Sequence, residues 1–76
     1  METIINSMVE VFKTDVESLA DASMLVALLQ KQIINSSVNF DLEDCDKVLR
    51  IEAPAISRRA VTALLKKQGY WCELLE

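Results

Sequence analysis

The feature that most constrains this chain is a strict alternation at its centre. Val38, Phe40 and Leu42 fall on one parity, and Asn39, Asp41 and Glu43 on the other. That is the period of a strand with one face buried and one face wet. The following stretch, residues 47–53 (KVLRIEA), repeats the device, with Leu49, Ile51 and Ala53 opposite Val48, Arg50 and Glu52. The short link Asp44-Cys45-Asp46 joins the two as an antiparallel hairpin.

Each flank of the hairpin holds one more strand and one helix. Residues 8–14 (MVEVFKT) are rich in Val and Phe and read as a strand. Between about Leu19 and Ile34, Leu25, Leu29 and Ile33 recur at helical spacing, with Ala22, Val26 and Leu28 beside them. Ser18 and Asp21 supply an S-x-x-D start, in which the hydroxyl accepts from a first-turn N–H and the carboxylate reaches back. After Pro54, residues 55–68 place Ile56, Ala60, Val61, Leu64 and Leu65 on an apolar stripe. Lys66 and Lys67 suit the negative end of that helix, and Gly69 supplies the left-handed residue that stops it. Residues 70–75 (YWCELL) close the chain as a strand, with Tyr70, Cys72 and Leu74 opposite Trp71, Glu73 and Leu75.

The order is βαββαβ. Right-handed crossovers through each helix leave room for one strand between, giving an antiparallel sheet of order 4-1-3-2 with two helices on one face. The expected fold is therefore an α+β, ferredoxin-like sandwich, formed by residues 1–76 as one domain with 1–7 as a flexible lead-in. The same geometry gathers three loops, residues 14–18, 43–47 and 68–70, at one end of the sheet. That end is the first place to look for a binding site.

Composition removes several kinds of chemistry. The chain has no histidine, so a Ser-His-Asp triad, a Cys-His pair and an imidazole metal site are all impossible. One glycine cannot build a phosphate-cradling loop, and two cysteines are too few for a disulfide scaffold or a structural zinc site. A net charge of −4 has the wrong sign for nonspecific attraction to nucleic acid or anionic lipid. METIINS at the start carries no basic residue, and the longest apolar run, MLVALL, is too short to cross a bilayer. These features point to a cytoplasmic location with both thiols reduced, and to neither nucleic acid nor membrane as a partner.

The spacing Ile56-x3-Ala60-x3-Leu64-x4-Gly69-Tyr70, with Leu25 and Leu29 in the first helix and Val38 opening the second strand, resembles the heavy-metal-associated domain. This is the fold of small copper chaperones and of metal-ATPase N-terminal modules. The resemblance implies the ferredoxin-like fold. The family's Met-x-Cys-x-x-Cys loop aligns with Val16, Ser18 and Asp21, and no cysteine precedes Cys45. The thiolate pair that binds soft cations there is missing, so metal transport does not carry over. The run NFDLEDCDK (residues 39–47) also resembles small bacterial domains of this shape.

The remaining candidates are few. Cys72 alternates inward and reads as a small core hydrophobe. Cys45, between Asp44 and Asp46, is the only weak metal candidate, and its carboxylate neighbours should blunt the thiol. The acids Asp41, Glu43, Asp44 and Asp46 lack the loop and glycine of a calcium site and read as a solvated hairpin tip. Arg58-Arg59 opposes the dipole at the start of the second helix, and reads either as a solvated surface or as an anion contact. On the uncovered sheet face, Trp71 should join Val48, Arg50 and Glu52, or else it packs on the edge and covers the thin core. The first strand adds either Val9 and Val11 or Met8 and Phe12, because Glu10 shares a face with Met8 and Phe12. Trp71, Val48, Arg50 and Phe12 are the expected interaction face, for a homodimer or a protein partner. No catalytic pair and no cofactor site is legible, so the reading is a non-catalytic interaction module. The alternative is a small-molecule or weak metal-sensing module using the loop end.

Overall fold

The computed structural model describes residues 7–75, so the lead-in expected over 1–7 lies, save for Ser7, outside the described residues. The elements are β1 (Met8–Thr14), α1 (Leu19–Gln32), β2 (Ser37–Asp41), β3 (Val48–Ala53), α2 (Arg58–Lys67) and β4 (Cys72–Leu74). The four strands form one antiparallel sheet in the order β2-β3-β1-β4, which is the expected 4-1-3-2 read from the other side.

Register explains how the sheet acquires one dry face. Phe12 stands opposite both Leu49 and Leu74, and Leu49 stands opposite Phe40, so one apolar row crosses all four strands. Ile51 and Val38 add a second row, and Ala53 closes the face. Against it α1 buries Ala22, Leu25 and Leu29, and α2 buries Val61 and Leu65. The opposite parity, including Val9, Val11, Arg50, Glu52 and Asn39, has no helix over it among the described residues. Among the described residues, no helix is long and apolar enough to cross a membrane.

Phe12 corrects one expectation. It is 0% exposed and sits at the centre of the core, not on the interaction face. The register that buries Phe12 also buries Glu10, at 7% exposure, among apolar neighbours. A lone buried carboxylate would be costly. The Nε of Arg58 lies 3.1 Å from Glu10 Oε2 and donates to it, which makes this register affordable and accounts for a cation in the first turn of α2.

Element ends follow local chemistry. Ser18 Oγ caps α1 by accepting from Asp21 N at 3.3 Å, and Ser57 Oγ caps α2 by accepting from Ala60 N at 3.2 Å. The second helix thus starts three residues later than Pro54 suggested, because the serine satisfies an orphan N–H that proline cannot. At its end, Gly69 has φ +95°, its N–H donates to Lys66 O, and the Tyr70 N–H donates to Leu65 O. This is a Schellman closure, and it needs the left-handed glycine. Strand β2 stops at Asp41, two residues early, because the Asp41 carboxylate accepts the Glu43 N–H and turns the chain.

Candidate functional site

The three loops do meet at one end of the sheet, and Thr14 is their hub. Its N–H donates to Asp46 O at 3.0 Å, and its hydroxyl donates to Lys47 O at 2.6 Å while accepting from Val16 N at 3.2 Å. The hairpin is thereby pinned to the β1–α1 loop. The α2–β4 turn is pinned from the other side, where the Asp15 carboxylate accepts the Trp71 N–H at 2.9 Å and the Tyr70 hydroxyl donates to Asp21. Asp21 therefore does not reach back to its own helix start as the S-x-x-D pattern suggested. Lys47, at φ 46°, turns its ammonium onto Leu42 O at 3.0 Å and so ties the hairpin loop to itself.

The positions aligned with the soft-metal loop are occupied by structure. Val16 is fully buried in the core, Ser18 is a helix cap, and Asp21 holds a tyrosine hydroxyl. None of them offers sulfur. The hydrogen bond to Asp21 is the main reason the Tyr70 phenol is raised above its usual range; burial and the charges of Asp21 and Asp15 add to it.

The two cysteines stand apart. Cys72 pairs with Thr14 on β4, half-buried, and its thiol is pushed up to about 12, first by burial and then by Asp15. Cys45 is exposed in the hairpin loop on the far side of β1. Two strand spacings, about 10 Å, separate the flanks of Thr14, too wide for two thiolates to share one ion. Asp44, Cys45 and Asp46 do bring ligand atoms within 4.8 Å of one another. This cluster is largely exposed, and Asp44 Oδ1 is already engaged by the Asp46 N–H at 2.8 Å.

Of the expected interaction face, Val48 and Arg50 lie on the uncovered parity, with Val48 half-buried and Arg50 exposed. Trp71 is 50% exposed but precedes β4, so strand alternation does not govern it. It lines a depression of about 700 Å³ beside α2, together with Arg59, Thr62, Ala63 and Lys66. A second depression, about 620 Å³, lies between α1 and β2 and is lined by Leu19, Ala22, Val26, Phe40, Asp41 and Glu43. Neither was legible beforehand. The one signal for the first was the absence of any carboxylate from residues 53–72.

No family model, no curated protein and no solved structure matches this chain.

Proposed function

We propose that this chain is a non-catalytic protein-interaction domain with the ferredoxin-like fold, similar to heavy-metal-associated domains but without their metal loop. The observation that carries the reading is how the loop end is closed. Thr14, Asp15, Ser18 and Asp21, the polar side chains best placed to hold a ligand there, are each bonded within the chain. The surface that remains for contact is sheet and groove. Val9 and Trp71 are exposed, and Val11 and Val48 are half-buried on an uncovered face. A homodimer or a protein partner, and neither nucleic acid nor membrane, is the occupant this surface suits.

The test is an amide-shift titration of the folded chain with Zn(II) and with Cu(I). The expected result is no saturable shift at residues 14–18 or 44–46 at stoichiometric metal. Saturable shifts confined to Cys45 and the loop end would overturn the reading in favour of a metal-sensing module.

A further inference from the structure

The two outer edges of the sheet carry opposite charge. Residues 39–46, running from β2 into the hairpin loop, hold four carboxylates, Asp41, Glu43, Asp44 and Asp46, and no cation. Residues 53–72, which include α2 and the approach to β4, hold four cations, Arg58 (paired with Glu10), Arg59, Lys66 and Lys67, and no carboxylate, so the positive charge of this edge lies on α2, while β4 itself carries the exposed Glu73. Strands β2 and β4 are the two ends of the sheet order, so among the described residues each leaves one side of its backbone unpaired. Each is also flanked by a groove under its helix. The β2 groove mixes apolar side chains, Leu19, Ala22, Val26 and Phe40, with polar ones, Ser23 and Asn39, and carries Asp41 and Glu43 on its rim. The β4 groove presents a half-exposed indole beside Arg59 and Lys66. One carboxylate, Asp15, lies in that second groove and is engaged by the Trp71 N–H.

Strand direction fits the charges. β1 runs antiparallel to β3 and β4, and β3 runs antiparallel to β2, so β2 and β4 point in opposite directions. Sliding one copy sideways along the sheet sets its β4 antiparallel beside the β2 of the next, with helices on the same side. Pairing like edges, β2 on β2 or β4–α2 on β4–α2, would set like charges against each other. Only the unlike pairing removes that repulsion.

We infer that a second copy of this chain docks head-to-tail, the β4–α2 edge of one molecule on the β2–α1 edge of the next. Trp71 seats in the cleft of Leu19, Ala22, Val26 and Phe40, and Arg59 and Lys66 face Asp41 and Glu43. Leu19 at 79% exposure is the apolar surface most in need of such cover. The contact is heterologous, so each copy keeps one free edge of each sign and the series grows beyond a dimer, as a ring or as a wound filament according to the rotation per copy. This inference rests on the interaction-module reading and specifies its partner.

Sedimentation from tens of micromolar to low millimolar tests it, with the emission of Trp71, the only tryptophan, as a local reporter. The expected result is a weight-average mass rising from 8.6 kDa past twice that value, with emission moving to the blue in step. Reversing one edge, either Asp41→Lys with Glu43→Lys or Arg59→Glu with Lys66→Glu, holds the mass at 8.6 kDa, and combining all four changes restores association. Trp71→Ala weakens association at least tenfold, with circular dichroism confirming that each variant is folded. A wild-type chain that stays at 8.6 kDa throughout, or emission that does not shift, overturns the inference. So does association that survives both edge reversals but is lost in Val11→Lys; that result moves the contact to the open face and leaves the interaction-module reading standing.

Discussion

The two sides of this sheet are built from the same parts, an edge strand with a helix laid beside it, and they carry opposite chemistry. On one side, α1 is long and largely uncharged, with Asp21 in its first turn and Lys31 in its last, and β2 runs into an acidic loop. On the other, α2 is ten residues with four cations, and β4 is only three residues long. The fold itself asks little of either surface. It needs Leu25 and Leu29 from one helix and Val61 and Leu65 from the other, all turned inward. What the outward positions carry is therefore free to differ, and the consistency of sign over residues 39–46 and 53–72 is what makes the two edges complementary.

The largest effect comes from the core that both sides share. Phe12→Ala should cost about 3–5 kcal/mol in urea unfolding. That is a large share of the roughly 4–11 kcal/mol available to a domain of this size. Val11→Ala, one residue away on the uncovered face, should cost under about 1 kcal/mol. Equal costs would break the assignment of the two faces.

Next is the pair that joins β1 to α2. Arg58→Met leaves the Glu10 carboxylate buried without its donor. Because the arginine side chain is itself 61% exposed, the cost is set well below that of a fully buried pair, at about 1–2 kcal/mol. Adding Glu10→Gln should recover most of it. A cost that persists in the double variant would mean the arginine acts by packing, and not by neutralising Glu10.

A further effect, absent at neutral pH, separates the two sides by pH. Cys72 and Tyr70 both belong to the β4 side, and both are raised above their usual values, Cys72 to about 12 from 9.0 and Tyr70 upward from 10.0. The folded chain holds these protons more tightly than the unfolded one. The stability they contribute is fully present below about pH 9 and is lost as pH rises toward 12. Urea midpoints should be level from pH 7 to 9 and fall above that. Cys72→Val should flatten the start of the decline and Tyr70→Phe its later part. A midpoint that rises with pH in this window would contradict the assignment.

Much of this architecture was legible because it rests on local periodicity. Val38, Phe40 and Leu42 alternate, Leu25, Leu29 and Ile33 repeat every four residues, and Gly69 stops a helix. The errors have long-range causes. The face of β1 was undecided because Glu10 is tolerated inside only by Arg58, 48 residues away. Alternation does not set the direction of Trp71, because β4 begins at Cys72 and not at Tyr70, and the Trp71 N–H is held by Asp15, 56 residues distant. The start of α2 moved because Pro54 looked like a first-turn residue while Ser57 makes the cap. The closure of the loop end consists of side-chain bonds between segments far apart in sequence, and no pattern of spacing encodes such bonds.

The central claim is that the loop end is a fastened structural corner and that contacts are made at the two charged sheet edges. An amide-shift map against protein concentration, without any added ligand, tests it most directly. The account predicts that shifts grow together over residues 37–43 and 71–74 and at Asp15, which lines the β4 groove, while Thr14 and Val16 stay still. Shifts that gather instead at Thr14, Val16 and Cys45, or on Val9, Val11 and Arg50 alone, would contradict it.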